Sequence, residues 1–456
     1  MNPEIVNNHL ATSKSAVKFL EYSVTQGRCL KRLDLLDDSL PGFFRNYPYP
    51  LHSWPWFVGG RMRQTLENCA CRIPALIYKA IHREFAGDPL RLAAFYGMPE
   101  VLARIFLDSA PNLAQVMLRM DAILTATGLK IMEVNAGPSI GGWQIQWMDQ
   151  QYRKQPALMP FFAEHECRSK NIPLGYMRHL VRQALAVASA DAKANVLFII
   201  EEPILARGHQ QSFENLFREA LAERGVDGGI WFESGFANVT FERNGVYLRG
   251  QRLGALVSYV PELEPPVDLY RASLRELVYW PGNPFIGVIG DKRSLAILYK
   301  HRNAPVFDEA ERRLIDEHVP WSAPIVKHDV EYRGAACDLE QLLLAEREHM
   351  VVKVARGQRG DDVYVGRFQT PEQWRAVVAR AFAEGAWLAQ EYCASLPFYG
   401  QSGTEGYAEH DVIWGVFGFG LEYGGCWLRL MLKDMGNGII NSDKGAQETI
   451  VYEVHE

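Results

Sequence analysis

Residues 117–143, MLRMDAILTATGLKIMEVNAGPSIGGW, constrain this chain more than any other stretch. Two alternating runs, 118–125 and 129–135, flank Ala126-Thr127-Gly128, and a three-residue loop ending in glycine predicts a hairpin with a left-handed bulge residue. Setting Thr125 opposite Leu129 brings Asp121 against Glu133 and Arg119 against Asn135, and strand alternation puts all four on one face. Met120, Ala122, Leu124, Met132 and Val134 are then left for a core on the reverse face. Asp121, Glu133 and Asn135 together supply hard oxygen ligands suited to Mg²⁺ carried in with a nucleotide's phosphates, and Arg119 beside them can hold a phosphate. A half-exposed ribbon with a merely solvated polar face has the same pattern. Two features favour the site. The following residues, 135–142, carry little side-chain bulk and many free backbone N–H groups that can approach an anion. Asp121 facing Glu133 also repels it unless a cation lies between them.

The chain has 456 residues, 48% of them hydrophobic, which is room for two to four domains with buried cores. Its formal charge of −6 provides no basic field for nucleic acid. The seven cysteines are dispersed, odd in number and without a CxxC pair, as in a reduced cytoplasmic protein rather than one with a disulfide framework or zinc site. The first residues lack a basic-then-apolar signal pattern, and no stretch reaches the length of a membrane span.

In chain order, residues 1–110 are mostly helical in pattern, with apolar spacing of three and four over 12–21 and 62–85. An aromatic, proline-rich crossing at 43–50 and 52–56 either lines a substrate pocket or packs helices. After the hairpin, connecting helices are expected at 147–162 and 174–190. The apolar run 195–200, a helix over 212–224 and a second run at 229–232 predict a small parallel sheet, continued by 246–248 and 255–259. No GxGxxG follows its first strand, so a dinucleotide fold is not supported. Asp291 is expected to cap the helix that follows it.

Residues 349–355 alternate as a strand carrying Lys353 and run into Arg356-Gly357-Gln358-Arg359-Gly360 before a returning strand at 363–365. That is a plausible flap over a triphosphate. Thr370 N-caps a helix with Pro371 in its first turn. The strand 386–393, AWLAQEYC, turns polar at its end, where the backbone could pair with an adenine edge. Arg429 is the one cation in the apolar run GCWLRLM and so needs an anionic partner.

These pieces resemble a circularly permuted ATP-grasp protein of the glutathionylspermidine synthase-like kind. The resemblance is carried by Arg119-x-Asp121, by Glu133-x-Asn135 in KIMEVN, by Lys353 with its glycine loop, by WLAQEYC, and by WLRLM with GIINSDKGA. In that family the metal-binding hairpin precedes the nucleotide-gripping lobe, as it does here. The resemblance covers roughly 116–135 and 195 onward. It departs at AGPSIGGW, where glutathionylspermidine synthases have a longer acidic and threonine-rich loop, and no amidase-like half is present.

The resemblance implies an α+β fold with five parts. These are a helical region (1–110), a metal-binding hairpin with connecting helices (111–190), a small Rossmann-like pre-ATP-grasp α/β domain (191–300), an ATP-binding grasp lobe with its glycine flap (301–392) and the remaining catalytic sheet (393–456). The implied reaction is ATP-dependent joining of a carboxylate and an amine through an acyl phosphate. Asp121, Glu133 and Asn135 would hold Mg²⁺, while Arg119 and Arg429 would bind the transferred phosphoryl group. Lys353 and, as a second nucleotide lysine, Lys327 would contact ATP. Gly357 and Gly360 would let the flap close, and Gln390, Glu391, Tyr392 and Cys393 would read adenine. Ser139, Gly141, Gly142 and Gln144 are candidates for holding the carboxylate substrate by their position beside the hairpin. The expected partners are small molecules, an amino acid, peptide or polyamine-like pair, with neither nucleic acid nor membrane. A nucleotide-binding scaffold and a phosphotransferase are the alternatives.

Overall fold

The structure is a computed structural model, and it describes residues 2–26, 30–110, 112–187, 193–202, 210–260, 262–357, 362–402, 406–433 and 435–456. It is a mixed α/β fold built on one large sheet. Its strands run in the order Trp56–Val58, Gln447–Val454, Glu422–Leu432, Gly406–Phe419, Met117–Thr125 and Gly128–Ala136, with Phe398–Ser402 and Cys167–Ser169 added at the margins. All pairings are antiparallel except that of Trp56–Val58 with the last strand. The sheet thus joins the hairpin to strands nearly 300 residues away.

One face of this sheet is closed by the long helix Gly60–Glu84, whose Leu66, Ala70, Ile73, Ile77 and Ile81 recur at helical spacing and are fully buried. Pro74 inside that helix has no N–H for the carbonyl of Ala70. A Cβ on Gly418 would stand 3.2 Å from that same carbonyl, so helix and sheet backbones meet closely there. The helix expected over 12–21 is instead two, Pro3–Thr12 and Lys14–Gln26. Ser13 breaks them, its hydroxyl accepting from the N–H of Ala16 and donating to the carbonyl of Phe57.

Four smaller sheets accompany the large one among the described residues. The first is parallel, in the order Ala255–Ser258, Lys193–Ile199, Asp227–Glu233, with Gln210–Arg224 as a helix between its first two strands in sequence. Gly245–Leu248 does not continue it, contrary to expectation, and instead forms a separate antiparallel sheet with Val239–Glu242 and Gln251–Leu253. The cause is local: Arg249 and Gly250 both have positive φ (49° and 78°), the geometry of a two-residue hairpin turn that folds the chain straight back. The four-stranded small sheet is antiparallel, in the order Ser322–Pro324, Trp387–Glu391, Met350–Val354, Val363–Val365. Helix Pro371–Glu384 covers it and starts with the capping box of Thr370 and Gln373. Among the described residues no helix is long and apolar enough to cross a membrane.

The hairpin register reaches the expected alignment by a different route. Thr125 pairs with Gly128, not Leu129, so the connection is one residue shorter than expected, although Gly128 does take a positive φ of 113°. An irregularity between Asp121 and Ala122 then inserts Met132 as an extra residue and restores Asp121 opposite Glu133 and Arg119 opposite Asn135. The bulge exchanges core residues: Ile131 is fully buried on the back, while Met132 turns to the open face.

Candidate functional site

The open face of the large sheet, the edge of the four-stranded sheet and the helix Pro284–Gly290 enclose a cleft of about 1270 Å³. Arg119, Asp121, Glu133 and Asn135 line it together. Arg119 grips Asp121 side-on, its Nε 2.7 Å from Oδ1 and its Nη2 3.1 Å from Oδ2, and donates through Nη1 to the carbonyl of Ile140 at 2.7 Å. From two strands further on, Arg429 brings Nη2 to 2.7 Å from Asp121 Oδ2. Burial alone would raise the proton affinity of Asp121, but Arg119 and then Arg429 outweigh it and hold the carboxyl well below the usual range. Arg429 itself is 94% buried by its 6% exposure, and its Nε has no hydrogen-bond acceptor among the described residues.

A missing side chain makes this clasp possible. Gly415 pairs with Asp121 on one side and Trp427 on the other. A Cβ there would fall inside the Trp427 indole and 3.2 Å from Cδ of Arg119. The vacated volume lets Trp427 lie across the sheet with both guanidiniums 5.7 Å from its ring.

The opposite wall carries the lysines. Lys353, 5% exposed, donates to the carbonyl of Met132 at 2.8 Å and to Oε1 of Gln390 at 2.9 Å. The bulge residue of the hairpin thus meets the flap strand. Desolvation lowers the Lys353 ammonium to about 8, against the pull of Glu133. Lys292, which sequence reasoning did not single out, stands beside it. Its Nζ is 3.3 Å from Glu133 Oε2 and donates to the carbonyl of Gly357 at 2.8 Å. Its neighbour Asp291 does accept from the N–H of Arg293, as expected of a helix cap, and also binds the side chains of Arg293 and Arg356. The signal for Lys292 was its place beside that capping aspartate, where it reads as a solvated helix-start residue.

Gln390, Glu391, Tyr392 and Cys393 line the cleft beside apolar Ile123, Ile413, Val351 and Val365, and Gly357 lines it at the start of the flap. Gly360 lies outside the described residues. Lys327 lies in the exposed run 326–329 and does not line the cleft.

Ser139, Gly141, Gly142 and Gln144 all reach the cleft. Gly141 and Gly142 have positive φ, and a Cβ on Gly142 would stand 2.8 Å from Phe417, so the loop lies flat on the sheet. Gln144 is buried and donates to Oε2 of Glu448 at 2.7 Å. Glu448 was not anticipated. It is 1% exposed and also accepts from Tyr47 at 2.7 Å and Ser442 at 2.6 Å. Desolvation pushes its carboxyl up to about 7 despite those donors and the nearby guanidiniums of Arg429 and Arg119. The aromatic crossing divides: Tyr47, Pro48 and Tyr49 line the cleft, whereas His52, Trp54 and Trp56 are core.

The chemistry of the cleft is therefore cationic at its buried floor and hard-oxygen at its hairpin side. Among the described residues no three His, Cys, Asp or Glu side chains form a metal cage. Asp121, Glu133 and Asn135 carry oxygens of the kind Mg²⁺ takes, but both oxygens of Asp121 already accept from guanidiniums, so a metal there would compete with Arg119 and Arg429 for that carboxylate.

No protein-family model matches the sequence, and no curated protein matches it. Among solved structures, the chain is similar to a glutathione synthetase-like effector from Globodera pallida, determined in its apo form. The match has a TM-score of 0.55 at 11% identity, over 97% of this chain and 96% of that one. The two chains share a fold along nearly their whole lengths.

Proposed function

We propose that the protein is an ATP-dependent carboxylate–amine ligase of the circularly permuted ATP-grasp kind. It phosphorylates a carboxylate to an acyl phosphate and passes the acyl group to an amine, releasing ADP and phosphate. The observation that carries this is the buried Arg429, whose Nε has no acceptor and which shares Asp121 with Arg119. A buried cation with unused donors is costly unless an anion comes to it. Lys292 and Lys353 line the same cleft and add two further cations to its surface.

Lys353 and Lys292 bind the nucleotide phosphates, and the apolar residues around 390–393 receive the base. Arg119 and Arg429 bind the transferred phosphoryl oxygens and stabilise their charge during transfer. Asp121, Glu133 and Asn135 would hold Mg²⁺, which when bound supplies charge neutralisation on the phosphates. Such a reaction needs alignment and screening more than a protein nucleophile. Gly141, Gly142 and Ser139 offer backbone and hydroxyl donors to the carboxylate substrate. Localisation in the cytoplasm agrees with the dispersed cysteines, six of which are free among the described residues.

The test is incubation with Mg-ATP and a panel of amino acids, short peptides and polyamines, following ADP release and adding hydroxylamine as a trap. A hydroxamate identifies an acyl phosphate. ADP release with a stable phosphate ester and no hydroxamate would make the protein a phosphotransferase, and silence across the panel would favour a nucleotide-binding scaffold.

A further inference from the structure

An acyl phosphate and an amine do not complete the reaction alone, because the attacking nitrogen must lose a proton as its bond to carbon forms. The buried carboxyls of the cleft differ in their freedom to take one. Asp121 is clasped by two guanidiniums and Glu133 faces Lys292. Glu448 is the buried carboxyl in the cleft with no lysine or arginine nitrogen within 4 Å among the described residues. Its partners are the hydroxyls of Tyr47 and Ser442 and the amide of Gln144. A carboxylate has about four acceptor sites, so three donors leave one, on Oε1.

The order of strands supplies the placement. Glu448 pairs across strands with Arg429, so both stand on the open face, with Glu448 on the side away from the hairpin. Across the sheet the groups follow the sequence carboxylate (Glu448), guanidinium (Arg429, Arg119), then oxygen ligands (Asp121, Glu133, Asn135). If the phosphoryl group is held at the guanidiniums with its metal at the hairpin, the acyl carbon and the incoming amine lie on the Glu448 side.

Resting on the ligase assignment, we propose that Glu448 is the base that takes the proton from the attacking amine. The nitrogen lone pair forms the C–N bond, the C–O bond to phosphate breaks with its electron pair on the leaving phosphate, and the N–H proton passes to Glu448, then to phosphate or water. The charged and titratable groups facing Glu448 are Tyr47, Arg429 and Arg119, with Ser442 and Gln144 as neutral donors. Both guanidiniums stay charged at any working pH, so among the groups facing the amine Glu448 is the one whose protonation sets an acid limb in turnover at saturating amine, while protonation of the amine itself is read in its KM. That limb is expected near neutrality, because burial raises the Glu448 carboxyl to about 7.

The experiment compares wild type with Glu448→Gln and Tyr47→Phe, using the carboxylate found in the panel and two acceptors, methylamine and hydroxylamine. Hydroxylamine is largely unprotonated at neutral pH and depends less on a base. Glu448→Gln is expected to cut amide formation by roughly 10²–10⁴ while hydroxamate formation falls less than about ten-fold. Tyr47→Phe, which removes one donor to the carboxylate, moves the acid limb to higher pH. Equal losses with both acceptors in Glu448→Gln, or an unmoved limb in Tyr47→Phe, overturn the base and leave the ligase standing. A wild type that gives neither product overturns both.

Discussion

Asp121→Asn and Glu133→Gln remove one charge each from the same proposed metal site, yet the structure gives them very different costs. Asp121 receives Nε and Nη2 of Arg119 at 2.7 and 3.1 Å and lies 2.7 Å from Nη2 of Arg429, all three residues mostly or wholly buried. Asparagine would leave two buried guanidiniums facing a neutral amide whose own NH₂ repels one of them. Removing one partner of a buried ion pair costs about 3–5 kcal/mol. Glu133 is a quarter exposed, at 25%, and its buried cation Lys292, 3.3 Å away, keeps the Gly357 carbonyl and can still donate to a glutamine oxygen, so Glu133→Gln costs less, about 1–3 kcal/mol. Both variants are expected to lose roughly 10²–10⁴ in turnover, because each serves the same phosphates. Equal losses of activity with unequal losses of stability are the signature. Urea midpoints followed by tryptophan fluorescence read it, compared at the transition that carries the large sheet, since a chain with three cores need not unfold in one step. Adding Arg429→Met to Asp121→Asn should recover part of the loss, because the orphaned charge goes with it. The pH dependence has a fixed sign. The Asp121 carboxyl is held below its ordinary value, so its contribution is complete above the usual carboxylate range and is lost as pH falls toward the depressed value. Wild type should therefore lose stability into acid more steeply than Asp121→Asn. Equal midpoint shifts in the two variants, or an asparagine variant as stable as wild type, would refute the ion-pair argument.

Lys292→Met is expected to raise the KM for ATP by tenfold or more, on the order of one lost charge-assisted contact, whereas Lys327→Met leaves it unchanged; the opposite result would restore Lys327 to the nucleotide site. Lys353 has its ammonium lowered from 10.5 to about 8, so ATP affinity measured by calorimetry should fall as pH rises past about 8. The stability of the free protein should move the other way, improving between about 8 and 10.5 as a buried charge is relieved. Gly415→Ala is expected to cost at least about 1–3 kcal/mol by overpacking and to lower turnover with it, since Trp427 and Arg119 must both move; a thermal midpoint within a degree of wild type would show that the indole has room.

What the sequence discloses about this fold depends on how local the cause is. The hairpin face, the flap strand with Lys353, the Thr370 cap and the isolated cation Arg429 follow from alternation, capping and the cost of burying charge, which act over a few residues. The bulge at Met132 does not, because Lys353 and the strand Gly406–Phe419 hold the two hairpin strands from outside and the hairpin's own sequence contains neither. Glu448 and Lys292 escape notice for the same reason. Glu448 in Gln447-Glu448-Thr449 reads as a solvated strand glutamate until Tyr47 and Gln144 arrive from two distant segments, and Ser442 from the loop just before the strand, to bury it. Those three contacts also explain why the aromatic crossing near residue 48 belongs to the cleft at all: Tyr47 is tied to the last strand of the sheet through Glu448. A single carboxyl thus fixes where three loops sit. Its replacement by alanine would release all three, so the glutamine variant, which keeps the shape and most of the donors, is the one that separates loss of a proton acceptor from loss of the pocket.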